Sequence, residues 1–238
     1  MKKLSLVTCI ILTFLYLLLP VTALTAGFLG YDVVFNPLFL SLFTALISLF
    51  FTVIICVKKI YSANKAKKVV FFSLPILAVV NLFFYIPFNG EPFVLISIIA
   101  NIICSVILLF KFIPSIAVRF TDVGICVGLF ILYLWALMIV SLFSDIAVET
   151  PVKTIPSPNE EYSAVVISRD EGALGGSTYV EICQNNSEIR IFLFEFQKKP
   201  KRIYAGDYGT HENLVIYWKD NNCVVISGKE YKNDDCFK

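Results

Sequence analysis

From Val123 to Phe143 the sequence VGICVGLFILYLWALMIVSLF carries no charged side chain. A helix needs about 20 such residues to cross roughly 30 Å of hydrocarbon, and crossing as a helix satisfies its backbone hydrogen bonds inside the lipid. The run reads as a membrane span. Tyr133 and Trp135 lie deep within it and read as helix-packing residues, while Asp145 and Glu149 mark the return to water. Hydrophobic residues make up 58% of the 238, too many for an ordinary soluble protein. Four earlier stretches repeat the pattern, at about 4–28, 35–57, 69–88 and 93–113, and Pro75 is expected to kink the third. Residues 1–147 are therefore expected to form a five-span transmembrane domain, with the fifth span at about 123–143.

The first span follows Lys2-Lys3, and Val21-Thr22-Ala23 offers a small-residue cleavage site, so a signal peptide over residues 1–23 is a rival reading. The apolar run continues past that site, which favours an uncleaved span. Orientation follows from the basic residues. With five spans, Lys2, Lys3, Lys58, Lys59, Lys65, Lys67, Lys68, Lys111 and Arg119 all fall on one side. The short loops on the other side, GYD and NGEP, hold no Lys or Arg. The positive-inside rule then puts the amino terminus in the cytoplasm and residues 148–238 outside, with Lys58, Lys59, Lys65, Lys67 and Lys68 as the main topology-setting group.

After the last span the composition changes. Pro151, Pro156 and Pro158 mark residues 148–158 as an extended Pro-rich tether, and Ser157-Pro158-Asn159 suits a type I turn. Residues 159–238 alternate β-rich runs with turn residues and are expected to form a small all-β domain. About six strands are expected, at 162–168, 177–183, 188–196, 201–205, 213–218 and 222–227, forming an antiparallel meander. Asn185-Asn186-Ser187 is expected as a hairpin loop, and Lys198-Lys199-Pro200-Lys201-Arg202 as a basic hairpin tip. The expected inward set is Val165, Ile167, Val180, Ile182, Val224 and Ile226. Residues 150–238 are slightly acidic, which argues against nucleic acid as a partner.

The domain's opening, Ser157-Pro158-Asn159-Glu160-Glu161-Tyr162, resembles the Ser-Pro-Asp-Gly-Lys-Tyr start of a β-propeller blade, with Glu160 standing where that opening has glycine. More widely, residues 156–232 resemble an uncharacterised family of bacterial membrane-anchored extracytoplasmic β-domains. The resemblance rests on that opening, on Gly172-Ala173 followed by Ser177-Thr178, and on the late strand pair from Val215 to Ile226. It implies a bacterial envelope location and lends no activity. The expected location is accordingly the bacterial cytoplasmic (inner) membrane, in multi-pass form with an extracytoplasmic C-terminal domain.

No catalytic, metal or cofactor constellation emerges. His211 is the single histidine and sits in a polar loop, where solvation is its plainest reading. Asp170-Glu171 and Asp234-Asp235 lack the alternating ligand spacing of a Ca²⁺ loop, and Gly172 to Ser177 lacks the setting of a phosphate loop. Of seven cysteines, Cys9, Cys56, Cys104 and Cys126 lie in apolar segments. In an oxidising compartment a disulfide is expected between Cys236 and either Cys183 or Cys223. Within the membrane Asn81 and Asn101 are the strongest polar residues. They lie at similar depth in a helical hairpin turning near Gly90, so a direct hydrogen bond between them is expected, with separate bonds to a neighbouring carbonyl or serine as the alternative.

Two functional readings survive. The first is a non-enzymatic inner-membrane protein whose exported β-domain binds an envelope protein or ligand, a layout that an immunity-type or stress-type role would suit. The second is a small transporter or permease subunit with its function in the helices. Beyond these partners only the lipid bilayer is implied.

Overall fold

The computed structural model describes residues 2–58, 65–86, 91–143, 148–172 and 175–232. Five helices are long and apolar enough to cross a membrane, and a β-rich region of antiparallel strands follows them. The chain is a multi-pass membrane protein. It divides into two compact units, one of residues 1–28, 33–138 and 192–194, the other of residues 29–32, 139–191 and 195–238. Gly90, Asp145, Asp234-Asp235 and Cys236 lie outside the described residues.

In the first unit α1 (Lys2–Phe28), α2 (Pro37–Val57), α3 (Lys65–Phe84) and α4 (Pro92–Phe112) pack together. Asn36 caps α2, its side chain accepting from the Phe39 N–H at 2.9 Å, and Pro37 follows at the first helical position, where its missing N–H costs nothing. Leu12, Tyr16, Ile55, Phe71, Leu74, Leu108 and Phe112 form the core, and the Phe71 and Phe112 rings stack with centroids 4.0 Å apart. Pro75 lies inside α3, and the site Val21-Thr22-Ala23 lies inside α1.

The last helix, α5 (Ile116–Phe143), starts earlier than the apolar run alone suggests. Its first turns serve α4: Arg119 Nη2 donates to the Phe110 carbonyl at 2.7 Å, and its Nε donates to the Ile113 carbonyl. These are orphan acceptors at a helix end, and a basic side chain there satisfies them. At 28 residues α5 runs to about 42 Å, longer than the hydrocarbon it crosses. It is also the least covered span, with 6% of its most apolar window buried against 33–44% in the other four. Tyr133 packs as expected, edge-on to Phe83 at 5.7 Å, but Trp135 is exposed on the helix surface.

The strands in chain order are β1 (Tyr31–Phe35), β2 (Val148–Pro156), β3 (Tyr162–Asp170), β4 (Gly176–Gln184), β5 (Ile189–Ile191), β6 (Phe194–Lys198), β7 (Lys201–Asp207), β8 (Ile216–Asp220), β9 (Cys223–Ile226) and β10 (Lys229–Lys232). The described sheets have the orders β2-β3-β4-β7, β10-β9-β8 and β1-β6-β5. In place of one meander, two antiparallel sheets share a core. Ala164 faces Ile182 and Val166 faces Val180 in the first, Ile216 faces Ile226 in the second, and these six with Leu214 and Val224 form one buried cluster. The Trp218 indole N–H donates to the Ile155 carbonyl at 2.9 Å and ties β8 to β2.

Several further expectations need correction. Residues 148–156 are not a tether: they pair along β3 as an edge strand, with a register irregularity between Pro151 and Lys153. Edges and bulges are where a sheet tolerates proline. On β3 the core side is Ala164 and Val166, whereas Val165 and Ile167 are half-buried on the opposite face. Both parities of that strand are apolar, so alternation alone could not choose between them. The run 188–196 breaks into β5 and β6 at Phe192-Leu193. Finally, neither Asn185–Ser187 nor Lys199-Pro200 turns a hairpin, since the strands on either side belong to different sheets.

Candidate functional site: a polar chain among the helices

Polar residues inside α2 and α4 fall at helical spacing. Ser41, Thr44, Ser48 and Thr52 mark one face of α2, and Ser97, Asn101 and Ser105 one face of α4, and all seven are buried. Residues three and four apart share a helix face, and small or polar residues there allow close helix approach in a membrane. Tyr16 of α1 reaches into this seam.

Ser105 and Ser48 also have the Asn101 and Thr44 carbonyls within 2.8 Å, and one ordering of protons joins the side chains into a chain. Ser105 Oγ donates to Tyr16 Oη at 3.0 Å, Tyr16 Oη donates to Ser48 Oγ at 3.0 Å, and Ser48 Oγ donates to Asn101 Oδ1 at 2.7 Å. Asn101 Nδ2 then donates to Thr44 Oγ1 at 3.2 Å, and Thr44 Oγ1 to the Ser41 carbonyl at 2.9 Å. Each hydroxyl spends its single proton once, so the chain runs from α4 through α1 and α2 and back without conflict. Such a chain polarises along its length in a low dielectric.

Asn81 lies beside this chain. Its amide donates to the Tyr16 carbonyl at 2.7 Å and to the Leu77 carbonyl at 2.8 Å. The expected direct bond to Asn101 is not formed. The two asparagines line one small cavity of about 20 Å³, with Tyr16 also in its wall, and each takes nearer partners. Asn81 uses backbone carbonyls, and Asn101 uses the hydroxyls of α2. The space suffices for about one water molecule. All members are neutral hydroxyls or amides, so the arrangement can fix helix register and depth.

Other residues of interest are dispersed. Lys58 is exposed at the end of α2, Lys65 is exposed at the start of α3, Lys68 is half-buried, and Lys59 lies outside the described residues. Lys67 Nζ donates to Ser5 Oγ at 2.9 Å, which joins the starts of α1 and α3. In the second unit Cys183 and Cys223 form no disulfide among the described residues. Burial pushes both thiols up, reinforced by Glu181 beside Cys183 and by Glu230 and Asp220 beside Cys223. His211, expected in solvent, is half-buried in a short 3-10 turn (Thr210–Glu212), with no hydrogen bond to Nδ1 among the described residues. On β7 Arg202 pairs with Glu181 at 3.0 Å and lies over the Tyr179 ring at 3.5 Å, so part of the expected basic tip is engaged within its own sheet. Among the described residues no group of three or more His, Cys, Asp or Glu could hold a metal ion.

Sequence reading missed one ionisable residue. Asp122, in the second turn of α5, is fully buried; the Cys126 thiol lies 3.9 Å from Oδ2, and Oδ1 has no partner among the described residues. It sits just before the apolar run that defined the span, which is why the run gave no sign of it. Compared with family models, curated proteins and solved structures, the chain matches none.

Proposed function

We propose that this chain is a non-enzymatic protein of the bacterial inner membrane, with its amino terminus in the cytoplasm and its β-domain on the outer side, where that domain binds an envelope partner. One observation carries the binding role. β8 ends its sheet, and Tyr217 on it and Val215 just before it are both exposed, while Ile216 between them is buried in the core. An edge strand with apolar side chains on its outer face is a template for an extended peptide segment, which adds backbone hydrogen bonds and seats alternate side chains. The partner chemistry we assign is therefore an extended, partly apolar segment of an envelope protein. The resemblance of residues 156–232 to membrane-anchored extracytoplasmic domains points the same way.

The transporter reading has less support, because Tyr16, Ser48, Asn101 and Ser105 bond to one another beside a cavity of only about 20 Å³. Photo-crosslinking in the native host tests the proposal. A benzophenone side chain at position 217 should capture a discrete partner, whereas one at Val152 on the exposed edge of the other sheet should not. Equal capture at both positions, or none at 217, would remove β8 as the contact.

A further inference from the structure

A second cavity in the helical unit has a different character. It measures about 250 Å³ and is walled by apolar side chains, among them Leu82 on α3, Val94, Ile98 and Ile102 on α4, and Phe130 and Leu134 on α5. The four-helix core does not close it, because α5 is mostly exposed and packs little against its neighbours. Tyr133, also in the wall, meets Phe83 edge-on at 5.7 Å. Elsewhere the wall passes directly into lipid-facing surface, since Leu95, Ile99, Phe130 and Leu134 line the cavity and are also exposed.

We propose that this slot binds one acyl chain of a membrane lipid. Size and chemistry select the occupant. Water is a poor candidate, since apolar cavities of about 150 Å³ stay dry and take up hydrocarbon-like guests. A helix from another protein is about 10–12 Å across with its side chains and cannot enter a slot of this volume. A single hydrocarbon chain is thin enough, and the slot opens onto the surface that lipid tails already cover.

Depth selects the leaflet. Along α4 the wall runs from Val94 to Ile102, about 12 Å at 1.5 Å per residue. It begins two residues into a helix that starts at Pro92. Half of the hydrocarbon is roughly 15 Å, so the slot occupies the leaflet at the end where α4 begins. A lipid of that leaflet places one tail between α4 and α5 and keeps its headgroup at the surface. This holds for either orientation of the chain, and so does not depend on the proposed function.

The test uses the purified full-length protein in nanodiscs containing a phosphatidylcholine with a diazirine midway along one tail. After irradiation, peptide mass spectrometry should find adducts concentrated at residues 94–102 and 130–137, above the level on the lipid-facing residues Phe39, Phe43 and Phe50 of α2. Filling the slot from either wall, with Ile99→Trp or with Leu134→Trp, should abolish the excess and leave the α2 adducts unchanged. The retained α2 adducts, with monodisperse elution, show that each variant is folded. Adducts spread evenly over all exposed faces, or an excess that survives both substitutions, would overturn the assignment. So would a slot free of adducts in a chain that proves dimeric, since a second copy would then cover it.

Discussion

Glu160 holds a φ of 58°, in the left-handed region that L side chains avoid at a cost of roughly 1–2 kcal/mol. Its N–H donates to the Ser157 carbonyl at 2.9 Å, closing the turn into β3, and Asn185 Nδ2 donates to its carbonyl at 2.8 Å. Both bonds use backbone atoms of residue 160. Glu160→Gly keeps them and removes the strain, so it should stabilise the β-domain by about 1 kcal/mol, less what glycine loses to unfolded-state entropy. Thermal unfolding of the full chain, followed at Trp218, reads this out, and a lower midpoint would contradict it. Phe192 has the same problem at φ 56° and no glycine-like neighbour to announce it. That is why the sequence IRIFLFEF reads as one unbroken strand although a turn interrupts it. Cysteine pairing also becomes narrower at this scale. Cys223 pairs in register with Lys232, and Cys236 follows only four residues later, a reach of at most about 14 Å. In an oxidising compartment Cys236 should therefore bond to Cys223, leaving Cys183 free. Non-reducing peptide mapping of protein from its native host should find that pair. A peptide joining Cys183 to Cys236, or three free thiols, would refute it.

Elements were legible in proportion to how strongly one physical constraint dictated them. All five helices follow from the cost of unsatisfied backbone in hydrocarbon. The starts of α3 and α5 did not, because beyond the hydrocarbon a helix may continue through charged residues. β2 was obscured by its prolines, and β10 by its composition: Lys229, Glu230 and Lys232 are exposed, so no apolar alternation marks that strand. The polar site was half visible. Two asparagines in apolar runs stand out, whereas Tyr16, Ser48 and Ser105 are residue types that membrane helices carry routinely. The clue was their spacing, with Thr44 and Ser48, and Asn101 and Ser105, each four apart on facing helices. If the chain of hydroxyls registers α1, α2 and α4, a double-mutant cycle with Tyr16→Phe and Asn101→Leu should show coupling. Intramembrane hydrogen bonds average about 0.6 kcal/mol and reach about 1.7 kcal/mol, so coupling of about 1 kcal/mol is expected. The cycle with Asn81→Leu and Asn101→Leu should be additive to within about 0.5 kcal/mol. Denaturation in mixed micelles measures both. Stronger coupling between the asparagines than between Tyr16 and Asn101 would reverse this account.

At the scale of the whole molecule, the positions of the basic residues act together. The bond from Lys67 to Ser5 brings the starts of α1 and α3 to one end of the helical unit. Lys58 follows the last residue of α2, Lys111 lies in the last turn of α4, and Arg119 reaches back from α5 to the carbonyls at the end of α4. Basic residues within about 15–20 residues of a span end bias that end towards the cytoplasm, and the proposed orientation rests on every helix contributing such residues at one end. Single-thiol variants of a cysteine-free chain test the orientation. A thiol at Glu188→Cys should react with an impermeant maleimide in intact spheroplasts, and one at Lys65→Cys only after permeabilisation. Replacing Lys58, Lys59, Lys65, Lys67 and Lys68 together by Gln should weaken that preference and yield a mixed population, because the group supplies five of the nine basic residues at that end. Labelling at position 65 in intact spheroplasts of the otherwise unaltered chain would invert the orientation while leaving the five-helix fold and the lipid slot as described.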